Sequence, residues 1–332
     1  MSDEEDLDAK VLDAMSGLPS DFSSFPKIYR DSILPALMSR ERDRVAAAKE
    51  ARTGWLSGGV GGILGAAIGF GVANAPLLGI LAIIGGAGWA VYRTAALRQI
   101  GKEAKTLLVQ PVAQEFGLVF DEHPGEQGTV YDFRRAKLLP NWDRSGFEDR
   151  LTGKRGEVDF EFFEAHLEEK RTTRDSNGRT RTRWVTVFQG QCIRFDFHKT
   201  FYGETLVARD SGIFNRFGGG GDMKRAKLED PTFEKAFEVY TTDQVEARFL
   251  LTPDFMQKLV DLEEAFHGNK LRCAFVGGEM FIALEGGDLF EPGSMFKRLD
   301  DPNRIRELLD DFAAVFHLID TVSANRSRSS DR

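Results

Sequence analysis

Cysteine is nearly absent: Cys192 and Cys273 are the only two in 332 residues, which excludes a disulfide framework as the basis of the fold. Each lies in an apolar run that reads as a strand, so buried, reduced thiols are expected. Histidine is scarce as well. His123, His166, His198, His267 and His317 show no metal-binding spacing and none stands near a cysteine pair, so neither a metal nor a cofactor is implied. Excess positive charge is also missing. A net charge of −8 argues against a broad nucleic-acid surface, which needs clustered Lys and Arg, and no nucleic-acid partner is expected.

Catalytic signatures are equally thin. No nucleophile elbow, kinase or dinucleotide motif occurs, and the loop Gly218–Gly221 lacks the Gly-Lys-Ser/Thr ending of a phosphate cradle, so it reads as a linker. Carboxylates cluster at Glu161, Glu164, Glu168 and Glu169 and at Asp261, Glu263 and Glu264; such runs read as solvated faces. No catalytic residue is assigned. The acidic N-terminus has no apolar segment behind it, so no cleavable signal peptide is expected and the membrane address falls to an internal segment.

That segment is the longest absence of all. Between Arg52 and Arg93 there is no Asp, Glu, Lys, Arg or His. A single helix from Trp55 to Tyr92 would be about 57 Å long against a hydrocarbon core of about 30 Å. Asn74-Ala75-Pro76 supplies a turn, dividing the stretch into residues 55–73 and 76–92, each of crossing length; a re-entrant hairpin is the alternative. Basic residues flank both ends and the turn carries no charge, so the positive-inside rule places both termini in the cytoplasm, with Trp55, Trp89 and Tyr92 at that interface. Small residues at Gly61, Gly65 and Gly69 in the first half and Ala82, Gly86 and Ala90 in the second predict close helix packing, within one hairpin or between copies in a homo-oligomer. A pore is disfavoured because only Ser57 and Asn74 offer small polar groups.

Around the hairpin the text changes twice. Residues 1–25 are acidic and then Ser/Pro/Gly-rich and are expected to be disordered. Residues 26–117 form a helical stalk, with Tyr29, Ile33, Leu34, Leu37 and Met38 on one stripe, a kink or break at Pro35, and Leu97, Ile100 and Leu107 on the returning helix. From residue 118 to 322 an α+β cytosolic domain with an antiparallel sheet and packed helices is expected. Alternation marks strands at Val158–Phe162, Trp184–Phe188 and Ile193–Phe197, with a further strand at Thr205–Arg209 and a β-hairpin over Leu271–Leu284. Thr252-Pro253 and Asp301-Pro302 start amphipathic helices, and residues 323–332 read as a disordered tail.

The most distinctive soluble feature is a polar hairpin, residues 170–183, turning at Asn177-Gly178 and carrying Arg171, Arg174, Arg179, Arg181 and Arg183. It offers a contact for anionic lipid or an acidic partner, against the plainer reading of a solubilising tip. Asp243 reads as a helix cap, with Glu246 and Arg248 as an ion pair or, less favoured, as ligand-binding groups.

The stretch Val239-Tyr240-Thr241-Thr242-Asp243-Gln244-Val245-Glu246-Ala247-Arg248, with Val187–Gly190 and Asp230–Lys235 before it, resembles a bacterial membrane-anchored family of domains of unknown function, number thirty-one thirty-seven. The likeness runs from about Pro26 to Thr321 and implies a bacterial inner-membrane protein, with no catalytic residues. The expectation is therefore a membrane-anchored interaction or scaffold module with an unidentified protein partner. A lipid-binding sensor, a glycine-zipper oligomer or pore, and an enzyme acting on a membrane-linked substrate are the alternatives.

Overall fold

The computed structural model describes residues 19–72, 75–174, 178–196, 202–209, 222–228, 230–265 and 270–327. The expected loop Gly218–Gly221, the turn residues Asn74 and Asn177, and His198 and His267 lie outside them. Contacts divide the chain into two units, Met1–Val112 with Phe290–Asp311, and Ala113–Leu289 with Phe312–Arg332. This differs from the sequence-based boundaries, which left residues 290–311 with the sheet.

In the first unit a 3-10 turn at Ser20–Phe22 leads through a helical turn, Phe25–Ile28, and a π-helical turn, Tyr29–Ile33, into α1 (Leu34–Ala67). Order thus begins before residue 26, because Phe22 and Phe25 find buried sites. Pro35 lies at the second position of α1, directly after the π-helical turn Tyr29–Ile33, and that turn is the irregularity expected there. Tyr29, Ile33 and Leu37 are buried as expected, whereas Met38 is exposed. A second π-helical turn, Ile68–Val72, ends the ascent; α2 (Pro76–Arg93) returns, and α3 (Ala95–Glu115) follows after Thr94.

α1 and α2 each contain a segment long and apolar enough to cross a membrane. Below them α1 and α3 pair through an Arg40–Glu103 bridge of 3.2 Å, burying Ala47, Ala48 and Ala51 on one helix and Leu97, Ile100, Ala104 and Leu108 on the other. Leu108, one position beyond the expected Leu107, takes the inward site. α3 accommodates Pro111 and ends in a glycine cap: Gly117 has φ +69° and the Leu118 N–H donates to the Ala113 carbonyl.

Among the described residues the second unit is built on one nine-stranded, wholly antiparallel sheet: β1 (Val119–Asp121), β2 (Arg144–Arg155), β3 (Val158–Arg174), β4 (Thr180–Asp196), β5 (Thr205–Arg209), β6 (Lys224–Ala226), β7 (Phe237–Thr241), β8 (Leu271–Val276) and β9 (Glu279–Glu285). Their spatial order is β1-β2-β3-β4-β9-β8-β5-β7-β6. The mixed helix-and-antiparallel-sheet class expected from the sequence is what the chain adopts. Strand β5 and the β8–β9 hairpin, turning at Gly277-Gly278, fall where alternation placed them.

Period-two alternation gives the sheet two apolar faces. On one, Phe133 of α4 (Gly128–Arg135) meets Phe163 and Phe281 edge-on at 5.5 and 5.2 Å. On the other, Phe255 of α7 (Pro253–Ala265) packs on Phe275 at 6.0 Å. Between them in sequence come two short helices, α5 (Pro231–Ala236) and α6 (Gln244–Leu250). The closing helix, α8 (Pro302–Ser327), buries Ile305, Leu308 and Leu309 in the first unit and Phe312, Phe316 and Ile319 in the second. It runs past residue 323, where a tail was expected to begin, because no Pro or Gly interrupts it.

Candidate functional site

The arginine hairpin is a two-stranded ribbon. β2 pairs with β3 only from Arg144↔Glu168 inward, and β9 pairs with β4 only from Gly190 onward, so residues 169–174 and 180–185 run on without a third strand among the described pairings. Opposed residues of an antiparallel pair point to the same side. The register sets Arg171 against Arg183 and Thr173 against Arg181, so these three arginines share one side, and Arg174 lies on the other with its Nε donating to the Gly178 carbonyl at 3.3 Å. Arg171 leans 2.8 Å from Glu169; Arg181 and Arg183 form no ion pair among the described residues. At the ribbon's base the Arg144 guanidinium stacks 4.9 Å from the Trp184 ring. Like charges directly opposed on a ribbon disfavour it. The arrangement becomes favourable when an anion faces that side.

In the hairpin helices the small residues sort into two sets. Gly58 lies against the Gly86 backbone, Gly65 against Ala82 and Gly69 against Gly79, with Ala90 buried beside Gly58. Gly61, expected in the same ridge, faces open space, as do Gly59, Gly85 and Gly88. The correction follows from helical phase: positions 54, 58, 62, 65 and 69 share the inward stripe, and 61 falls outside it. Leu56, Ile63, Leu64, Leu77 and Leu81 are all more than half exposed, so both helices turn their large apolar side chains outward.

Glu246 and Arg248 do not pair. Two residues apart on a helix, they point to different sides. Each carboxylate oxygen of Glu246 accepts a backbone N–H, from Tyr202 at 3.0 Å and Gly203 at 2.8 Å, while Arg248 donates to the Gln244 carbonyl. Asp243 caps α6 as expected, accepting from the Val245 and Glu246 N–H groups, and Ala247 and Leu250 are buried. The conspicuous motif is thus a structural clasp.

Two of the carboxylates expected on a solvated face are buried, Glu161 and Glu164. Glu161 is held by Arg150 at 2.7 Å and the Thr129 hydroxyl at 2.9 Å, with Arg194 at 3.6 Å. Burial pushes the Glu164 carboxyl up to about 8, against the Leu289 N–H that donates to it at 2.6 Å. Cys192 and Cys273 are both buried, and burial pushes both thiols up.

Sequence reading also missed a cleft of about 430 Å³ whose polar walls are Asp132, Arg135, Glu204 and Glu279, with Phe281 at the apolar wall. Asp132 and Arg135 pair with each other. Burial raises the Glu279 carboxyl while Arg194, 3.2 Å away, draws it back. These residues come from three separated segments, so no spacing in the sequence announces them. The cleft supplies carboxylates and one guanidinium; among the described residues no three metal-capable side chains converge.

No curated protein and no solved structure matches the chain. Residues 186–323, a segment that includes the stretch Val239–Arg248, match the model of the family described as Protein of unknown function (DUF3137), the family the sequence resembles.

Proposed function

We propose that this is a membrane-anchored interaction module: α1 and α2 hold it in a bilayer, and the sheet unit binds a partner protein. The observation that carries the anchorage is the outward ring of large apolar side chains on both hairpin helices, a surface that water penalises and hydrocarbon accepts. Basic flanks at Arg52, Arg93 and Arg98 and the uncharged turn favour both termini in the cytoplasm, and the family resemblance favours the bacterial inner membrane. The family match carries no activity, and Glu246, held by two backbone N–H groups, and Arg248, which does not pair with it, lend an enzyme reading no support.

A second observation favours an acidic surface on the partner, because the ribbon sets Arg171, Arg181 and Arg183 on one side. Crosslinking in intact cells, followed by purification of the full-length protein, tests the module. A reproducible partner lost in the variant carrying Arg181→Glu and Arg183→Glu supports the reading. Recovery of only higher-order forms of the protein itself, abolished by Gly61→Leu at a position that faces away from the hairpin's own packing stripe, contradicts it in favour of self-assembly through the hairpin.

A further inference from the structure

Residues 290–301, between β9 and α8, belong to the first unit, and their construction is unusually rigid for a loop. Ser294 to Lys297 form a turn, closed by the Lys297 N–H donating to the Ser294 carbonyl at 3.1 Å. The buried guanidinium of Arg304 binds the carbonyls of Pro292, Ser294, Lys297 and Arg298. Helix α1 grips the turn from the other side: Arg44 donates to the Met295 carbonyl at 3.0 Å, and Glu41 accepts the Leu299 N–H at 3.1 Å. Met295 fills the space beside Gly101 of α3.

So fixed, the turn holds Met295 inward and Phe296 outward. Phe296 is 45% exposed, an expensive place for a phenyl ring on a turn whose geometry is otherwise satisfied. Its position along the stalk decides what it meets. The Arg52 guanidinium lies 5.6 Å from the Phe296 ring. Arg52 stands three residues, about 4.5 Å of helix axis, before Trp55, and the headgroup layer is roughly 5–7 Å thick. Phe296 therefore falls at the level of that layer. Arg52 and Lys297 beside it are exposed, as is Lys49, one helical turn before Arg52 on α1; Glu50 is engaged with Arg93 and Asp300 with Arg298.

We infer that the turn Ser294–Lys297 is a second membrane contact, seating Phe296 in the headgroup layer beside Trp55, Trp89 and Tyr92, with Lys49, Arg52 and Lys297 facing anionic lipid. Trp and Tyr favour that layer, Phe beside a basic face buries at its headgroup–acyl boundary, and each cation there adds about 1 kcal/mol of attraction. The inference rests on the hairpin being inserted. It gives the strap a purpose that packing alone does not: it ties the start of α8 to the bilayer surface.

Spin labels on the full-length protein in vesicles of phosphatidylethanolamine and phosphatidylglycerol test this. The native thiols are buried, so single labels attach at Phe296→Cys, Val60→Cys or Arg30→Cys. Accessibility to dissolved oxygen and to a water-soluble nickel chelate is read at each. The expected result is a label at 296 intermediate between the lipid-embedded label at 60 and the aqueous label at 30, with severalfold less nickel accessibility than at 30. A label at 296 as open to nickel as the one at 30, while 60 is embedded, overturns the inference and leaves the anchor standing. Shielding of 296 from both reagents also overturns it, in favour of a protein neighbour. An aqueous label at 60 overturns the anchor and the inference together.

Discussion

Glu246 shows what a single side chain does in the resembled motif. Its carboxylate accepts from two backbone N–H groups, one exposed and one part-buried, so Glu246→Ala leaves them to water, and a loss of about 0.5–1.5 kcal/mol in unfolding free energy is expected. Arg248→Ala, which removes one exposed contact to the Gln244 carbonyl, changes stability by less than about 0.5 kcal/mol. Denaturant titration of both variants checks the contrast; equal losses would return the two residues to a shared role. Glu164 governs the response to pH. Its folded value of about 8 lies above its ordinary 4.5, so the folded state binds the proton more tightly and stability falls as pH rises between them. Asp311 acts in the same sense, but its folded value is about 6. Between about 6 and 8 the slope from Glu164 approaches 1.4 kcal/mol per pH unit, and Glu164→Gln flattens it. Neither residue's burial was legible in the sequence. Glu164 follows Phe160 and Phe162 on one face of β3, but the carboxylates at Glu161, Glu168 and Glu169 around it made the whole cluster read as solvated.

At the scale of elements, the hairpin was legible because absence of charge over the 40 residues between Arg52 and Arg93 has few physical readings. The pairing stripe was not, since glycines crowd every side of α1 and only the position of α2 selects among them. Substitution separates the two sets: Gly58→Leu forces a side chain into the Gly86 backbone and costs roughly 1–3 kcal/mol of helix packing, whereas Gly61→Leu projects outward without penalty. Separation of the helix ends, read by spin-label distances between positions 57 and 89, rises in the first variant alone. The ribbon was readable from Gly178, which holds φ +76°, and from the alternating arginines around it. Strand β2 escaped notice. Its inward positions are Phe147, Asp149 and Leu151, an acid between two hydrophobes, and the register slips between Glu148 and Leu151, where Asp149 takes φ +55°. A strand interrupted by such a bulge does not alternate cleanly. Within the ribbon, relieving the opposed charges by Arg183→Thr is expected to stabilise it by about 0.2–1 kcal/mol while weakening capture of an acidic partner; hydrogen exchange and the crosslinking yield report the two effects separately.

For the whole molecule, the sequence separated an uncharged hairpin from a charged sheet domain but did not reveal that residues 290–311 return to the first unit. Short-range patterns carry no record of such a return; Arg44 meeting the Met295 carbonyl joins residues 251 positions apart. The central claim is that the hairpin anchors the chain in a membrane. Alkaline carbonate extraction of cell membranes carrying the full-length protein, beside the same chain lacking residues 55–92, tests it most directly. The account predicts that the full-length protein stays in the membrane pellet and that the shortened chain is released. Release of the full-length protein by carbonate would contradict it.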